Sequence, residues 1–288
     1  MIEFESVSFS YDAPKKGGRK NCGDWAVQGI SFKLEQGECL GIAGSTGSGK
    51  STLLQLAKGL IVAQEGYVAF DGLLNGAECK KKTVFGQVGL VMQYPERQLF
   101  ASSVIEDVMF GPIRQGLSKQ EAQQRAKQAL QLVGLQSSQI ETRNPFHLSA
   151  GQQRKVALAG VLAMRPSVLA FDEPNAGLDP KAHREFNALI TRLNKDEKLS
   201  VIIASHNMDD LEQHCNRIML LESGRMCALG SVQKIFLQTD LLRRLGLDAP
   251  SAQACALTIQ EAGLSLPLQD SPFTLDSLAT AIIRKLKS

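Results

Sequence analysis

Residues 44–51, Gly44-Ser45-Thr46-Gly47-Ser48-Gly49-Lys50-Ser51, fit the spacing G-x-x-x-x-G-K-[ST], a run suited to holding phosphate. Its glycines let successive backbone N–H groups turn inward around phosphate oxygens, and a helix opening at its end adds positive potential. Lys50 would reach the β- and γ-phosphates of a nucleotide, and Ser51 would hold Mg²⁺. A second constellation is Val168-Leu169-Ala170-Phe171-Asp172-Glu173, four apolar residues ending in two carboxylates. Asp172 can bind a hydrated Mg²⁺, and Glu173 can orient and deprotonate an attacking water. Taken alone, an apolar strand ending in Asp-Glu is equally consistent with a structural role. Downstream of a phosphate loop it is the expected partner, and the pair points to nucleotide hydrolysis.

The elements that must position these groups fall into two textures. Ile2 and Phe4, then Val7, Phe9 and Tyr11, alternate with polar residues, as do Ile30, Phe32 and Leu34, which predicts strands over the first forty residues. Cys39–Ala43 reads as a short strand entering the glycine-rich loop, Thr52–Leu60 as helix, and Ala69-Phe70-Asp71-Gly72 as a strand ending in a turn. From about 95 to 162 the pattern is helical: Ser118 and Glu121 have capping-box spacing, and Ala122, Ala126, Leu130 and Val133 share one face before Gly134. Strands return as the apolar runs Val168–Phe171 and Val201–Ala204, typical of a parallel sheet covered on both faces. Beyond Gly230 helices are predicted, with a stripe of Leu275, Leu278, Ile282, Ile283 and Leu286. Lys15-Lys16-Gly17-Gly18-Arg19-Lys20 reads as a solvated hairpin loop, with a binding patch as the alternative.

Composition closes off other classes. The chain has 288 residues, 43% hydrophobic and 21% charged, as a globular protein with a sizeable core has. A net charge of +3 is too small to argue for a polyanion-binding surface, so no nucleic acid is expected as a partner. No apolar run approaches the roughly 20 residues a membrane span needs. The acidic start Met1-Ile2-Glu3-Phe4-Glu5 has no apolar core of a signal peptide. Six cysteines, at 22, 39, 79, 215, 227 and 255, show no paired spacing and read as reduced thiols of a cytosolic protein.

Leu148-Ser149-Ala150-Gly151-Gln152-Gln153, between the two motifs, resembles the signature of the ATP-binding cassette (ABC) family, usually LSGGQ. The resemblance covers residues 1 to about 230 and implies further roles. Tyr11 would stack on adenine, and Gly44, Ser45, Thr46, Gly47, Ser48, Gly49, Lys50, Ser51 and Thr52 would contact ATP. Gln93 matches the Q-loop glutamine, which senses the γ-phosphate side and joins Ser51 and Asp172 around Mg²⁺. Asn175-Ala176-Gly177-Leu178-Asp179 matches the D-loop, and His206 matches the switch histidine, which with Glu173 and Gln93 makes up the catalytic set. Family members pair head to tail, so Ser149, Ala150, Gly151 and Gln152 would close the site of a second ATPase subunit, identical or paralogous. Ala150 stands where Gly is usual; its methyl removes access to positive φ and puts equivalence of the two composite sites in question.

Residues 93–112, Gln93-Tyr94-Pro95-Glu96-Arg97-Gln98-Leu99-Phe100 and then Val104 to Phe110-Gly111-Pro112, look like the ATPase of energy-coupling factor (ECF) transporters. That resemblance implies a subunit on the cytoplasmic face of the cell membrane. It would power uptake of a vitamin or transition-metal ion through a transmembrane coupling subunit and a membrane substrate-binding subunit. The ATPase of another ABC importer or exporter is the alternative; a nucleic-acid-acting cassette fits less well, since Lys50 and Ser149 are 99 positions apart with no heptads between. The expected architecture is a RecA-like α/β phosphate-loop core with an antiparallel β-subdomain and a helical subdomain at about 95–162. The nucleotide-binding domain would span 1–230, and a helical extension at 231–288 would serve dimerisation. Among the apolar residues after Gln93, Leu99 and Phe100 follow a polar loop and are expected to be exposed. Val108 and Phe110 could equally line the insert's own core.

Overall fold

The alternation of Ile2 and Phe4 with acidic residues slips phase before Val7, and the cause is local. Ser6 adopts φ 47 where the pairing register shifts, a bulge that turns Val7 back toward the same core. The structure, a computed structural model, describes residues 1–12, 25–76, 86–136, 138–262 and 275–286; the basic stretch 15–20 and Cys22 and Cys79 lie outside them. In chain order the strands are β1 (Ile2–Phe9), β2 (Val27–Leu34), β3 (Cys39–Ala43), β4 (Glu65–Phe70), β5 (Leu73–Gly76), β6 (Val88–Val91), β7 (Val168–Asp172), β8 (Ser200–Ala204), β9 (Arg217–Glu222) and β10 (Arg225–Ser231). The helices are α1 (Lys50–Lys58), α2 (Val104–Arg114), α3 (Lys119–Leu132), α4 (Ser138–Glu141), α5 (Ala150–Leu162), α6 (Pro180–Lys195), α7 (Met208–His214), α8 (Val232–Phe236), α9 (Thr239–Arg244), α10 (Ser251–Glu261) and α11 (Leu275–Leu286).

Two sheets result. One is antiparallel in the order β2-β1-β4-β5, its β4–β5 corner made by Asp71 and Gly72, both at positive φ as a tight two-residue hairpin requires. The other runs β10-β9-β3-β8-β7-β6, parallel from β6 to β9 with β10 antiparallel at the edge. Every residue of β3, β7 and β8 is buried, which is why they read as unbroken apolar runs. Successive side chains leave opposite faces. Leu169, Phe171, Val201 and Ile203 join the helices that follow β6 and β7, whereas Val168, Ala170, Ile202 and Ala204 pack with α1 and the antiparallel sheet.

The helices between β6 and β7 have no separate core. Val104, Val108, Ala122, Leu130 and Val156 belong to the same cluster as Leu169 and Phe171 of the sheet. The Ser118–Glu121 capping box opens α3 with both of its hydrogen bonds formed. Leu99 corrects the sequence reading: it is only 6% exposed, while its neighbour Phe100 is 59% exposed. The Asp107 carboxylate accepts from the N–H groups of Phe100 and Ala101, both at 2.9 Å, and this turn sends consecutive side chains in opposite directions. Val108 is buried and Phe110 exposed, so the two residues left open divide between core and surface.

The last helices fold back on the rest. Leu278 of α11 packs on Ala252 and Ala256 of α10, while Ile283 of the same stripe is exposed. Ser251, opening α10, donates its N–H (2.7 Å) and hydroxyl (2.6 Å) to the Asp209 carboxylate on α7.

On α7, His214 meets Thr191 of α6 through Nδ1 (3.1 Å), and its Nε2 is buried without a partner. Burial lowers its pKa to about 4, aided by His183 and Lys195 and opposed by Asp210. Unfolded, the ring titrates near 6.5, so the neutral ring's contribution is complete above that pH and is lost as pH falls through about 4. A loss of about 3 kcal/mol from this residue is expected across that window. Urea midpoints measured from pH 7 to 4 should fall less steeply in His214→Gln.

Candidate active site

Strand β3 delivers the phosphate loop into a position where only glycine fits at two points. A Cβ on Gly44 would lie 2.4 Å from Ser48 Oγ and 2.5 Å from the Leu221 carbonyl oxygen. Gly49 holds φ 106, and its Cβ would lie 2.5 Å from the Ala26 carbonyl oxygen. Gly49→Ala should therefore destabilise the fold by about 2 kcal/mol or more and weaken ATP binding, measured by thermal melting and nucleotide titration. Helix α1 begins at Gly49 with no side-chain cap and no acidic residue in its first turn, whereas α3, α5 and α6 are capped by Ser118, Ser149 and Asp179. Its first N–H groups are thus left for an anion. The buried Lys50 ammonium donates to the carbonyls of Gly44 (2.6 Å) and Ser45 (3.0 Å); burial lowers its pKa, and Glu173 and Asp172 oppose that shift.

The two carboxylates at the end of β7 diverge. Burial raises the Asp172 pKa, as does Glu173, against a hydrogen bond from the Ser51 hydroxyl and the charge of Lys50. Glu173 leaves the strand at φ 47, a left-handed conformation that costs a non-glycine residue energy and re-aims its side chain. Its N–H still pairs with the Ala204 carbonyl (2.8 Å). Its Oε1 meets His206 Nδ1 (2.9 Å) and the His206 N–H (3.1 Å), and its Oε2 accepts from the Ser205 hydroxyl (3.3 Å). Glu173, His206, Asp172, Ser51 and Lys50 are thereby brought together. Gln93 lies just past β6, exposed, and no hydrogen bond joins it to them. Tyr11 is exposed, edge-on to Phe9 (5.0 Å), with its hydroxyl 3.3 Å from Thr52 Oγ1, so one ring face is open beside the start of α1.

The signature residues lie elsewhere. Ser149 caps α5 in a capping box with Gln152, and Ala150 is its first helical residue. Ala150 is not among the positive-φ residues, so its methyl strains nothing there. Ser149, Ala150, Gly151 and Gln152 line a cleft of about 260 Å³ with Leu178, Asp179 and Lys181, and no residue of the phosphate loop lines it. Asp179 caps α6, accepting from the N–H groups of Lys181 (2.9 Å) and Ala182 (3.0 Å), which with the nearby Lys181 and Arg184 lower its pKa.

Three residues were not singled out from sequence. Ser205, visible only as the neighbour of His206, holds Glu173; Glu96 meets Arg154; and Asp210 gathers His183 (2.7 Å), Asn187 (2.9 Å) and Asn175 (3.0 Å). The partners in the last two sets are far apart in sequence, and no local signal marks them.

A family model described as ABC transporter matches residues 27–176. The chain is 36% identical to the energy-coupling factor transporter ATP-binding protein EcfA2 of Caldanaerobacter subterraneus subsp. tengcongensis, covering 99% of this chain and 98% of that protein. It is 39% identical to EcfA2 of Lactobacillus gasseri, over 100% of this chain and 98% of the relative. The solved structure of cbiO1 from Clostridium perfringens, described as part of the ABC transporter complex cbiONQ, superposes with a TM-score of 0.71 at 31% identity, covering 84% of this chain and 93% of that one. With a RecA-like phosphate-loop sheet, an antiparallel sheet and inserted helices, the chain belongs to the ABC transporter ATPases, and among them to the energy-coupling factor ATP-binding proteins.

Proposed function

We propose that the chain binds and hydrolyses ATP to drive an ECF-type importer of a vitamin or transition-metal ion. The observation that carries this is the Glu173 carboxylate, held by Ser205 and His206 beside Asp172, Ser51 and Lys50. Lys50 and the uncapped N–H groups of α1 bind the phosphates, and Tyr11 offers its open face to adenine. Glu173 takes the proton of the attacking water, and His206 fixes the carboxylate's direction. Ser51 and Asp172 present hard oxygen donors of the kind Mg²⁺ takes, and Gln93 would complete them once its loop moves inward. Among the described residues no cluster of three or more His, Cys, Asp or Glu would hold a metal unaided, so phosphate and water would supply the remaining ligands. Bound there, Mg²⁺ would neutralise charge on the phosphates.

Because the signature cleft contains no phosphate-loop residue, one chain has two incomplete halves. A second ATPase subunit, identical or paralogous, would complete both, with Ser149 to Gln152 facing the phosphates across the interface. Residues 1–230 would form the nucleotide-binding domain, and 231–288 would keep the pair together without nucleotide. Among the described residues no helix is long and apolar enough to cross a membrane. The protein would attach to the cytoplasmic face through a transmembrane coupling subunit, with a separate membrane subunit choosing the solute.

Purifying the tagged chain from membranes and identifying what comes with it tests this reading. A coupling subunit, a solute-binding subunit and ATPase activity in the same fraction are expected. A permease of another ABC class would instead support the alternative importer or exporter. An active ATPase with no membrane partner would overturn the transport role.

A further inference from the structure

Arg154 stands on the first turns of α5, directly after the signature, and is only 3% exposed. A buried guanidinium is costly unless its donors are matched, and here they are matched by two different segments. Nε reaches Glu96 Oε2 at 3.3 Å, and Nη2 reaches Glu96 Oε1 (3.4 Å) and Oε2 (3.3 Å). Nη1 donates to the Pro174 carbonyl (2.9 Å) and Nη2 to the Ala176 carbonyl (3.1 Å). Glu96 is three residues beyond Gln93, in the 3₁₀ turn Pro95–Gln98; Pro174 and Ala176 directly follow Glu173.

The same two segments touch a second time. Tyr94 holds φ 56 at the start of the 3₁₀ turn, Arg97 lies 4.7 Å over its ring, and its ring edge is 3.4 Å from where a Cβ of Gly177 would be. On their other side, residues 174–176 are held to the core helices α6 and α7, since the Asn175 amide donates to Asn187 (2.6 Å) and Asp210 (3.0 Å). The loop after Glu173 is therefore gripped between the fixed core and a side chain whose other end follows Gln93.

We propose that Arg154 is a positioning residue that locks the segment after Gln93, the start of the signature helix and the loop after Glu173 into one unit. When the segment after Gln93 shifts, Glu96 carries the guanidinium with it, and the carbonyls beside Glu173 follow. A lysine could keep the charge but not the planar fork that serves a carboxylate and two carbonyls at once. This rests on the proposed role of Glu173, and it concerns how that base is placed.

The test uses the full-length protein in the complex purified with its second ATPase subunit, with Mg-ATP, comparing wild type, Glu96→Gln, Arg154→Lys and the double variant. Steady-state kcat and KM, and thermal melting, are read for each. Glu96→Gln and Arg154→Lys are each expected to lower kcat about tenfold with KM within about twofold, and the double variant to fall no further than the worse single. Glu96→Asp, which keeps the charge, should recover part of the rate. Losses that multiply to about a hundredfold in the double variant would overturn the proposal. So would losses that appear only in KM, or that vanish once corrected for folded protein. If Arg154→Lys does not fold, Glu96→Gln decides alone: kcat unchanged against an active wild type overturns it. An inactive Glu173→Gln control beside an active wild type keeps the base assignment separate from this one, whereas hydrolysis by that control would overturn both.

Discussion

Glu173→Gln is expected to lower ATP turnover by about 10²-fold or more while leaving ATP affinity near that of the wild type. Glutamine has the same shape, and its carbonyl can still accept from the Ser205 hydroxyl or the His206 N–H, both of which now hold the carboxylate. What it loses is the ability to take a proton from water. Lys50→Ala should instead weaken binding as well, since its charge serves the ground-state phosphates. The purified Glu173→Gln ATPase should also hold ATP between closed cassettes, so light scattering with Mg-ATP should show at least as much dimer as the wild type, and more where the tail 231–288 is removed. Turnover near the wild-type rate would remove Glu173 as the base.

Phe100→Ala is expected to cost about 2 kcal/mol or more at the membrane partner, roughly a thirtyfold loss of affinity, with ATP binding kept and transport lost. Phe100 and Phe110 meet edge-on at 4.9 Å, and Arg114 lies 5.1 Å over the Phe110 ring, so an exposed aromatic pair with a basic rim sits where a partner helix could dock. The exposure of Phe100 makes this separable from folding. Leu99→Ala next to it removes a buried side chain and should cost roughly 2–5 kcal/mol of stability. Co-purification of the partner with each variant, set beside its melting temperature, distinguishes the two. Normal assembly in Phe100→Ala would take this patch off the docking surface.

The parts of the site that were legible in sequence are those whose geometry is local. The phosphate loop keeps its glycines, lysine and serine within eight residues, and the capping box of α3 lies within one turn, so spacing alone describes them. The apolar runs of β7 and β8 identified a sheet covered on both faces for the same reason. Arg154 and Glu96 are 58 positions apart, and Asn175 and Asp210 are 35 apart, and each pair meets only because the fold brings a turn against a helix remote in sequence. Leu99 went astray because a polar stretch precedes it, while its direction is decided by the Asp107 carboxylate eight residues on. Nor could sequence reveal the left-handed backbone of Glu173, which is imposed by the end of β7 and not by residue type.

Strand β3 lies between β8 and β9, pairing Cys39 with Val201 and Ala43 with Leu220. The loop it carries is closed by residues further on still: the Gly224 N–H donates to the Ser48 carbonyl at 3.0 Å. During synthesis, then, the nucleotide-binding residues leave the ribosome long before their supports exist. About 160 residues separate β3 from β8, and at about 5–20 residues per second β3 waits roughly 8 to 30 seconds unpaired, its apolar side chains open to chaperones. Long-range pairing of this kind is slow to close once it can begin. ATP cannot guide the early stages of folding here; a chain halted before Ser200 holds the whole phosphate-binding octapeptide on a β3 with neither of its sheet neighbours.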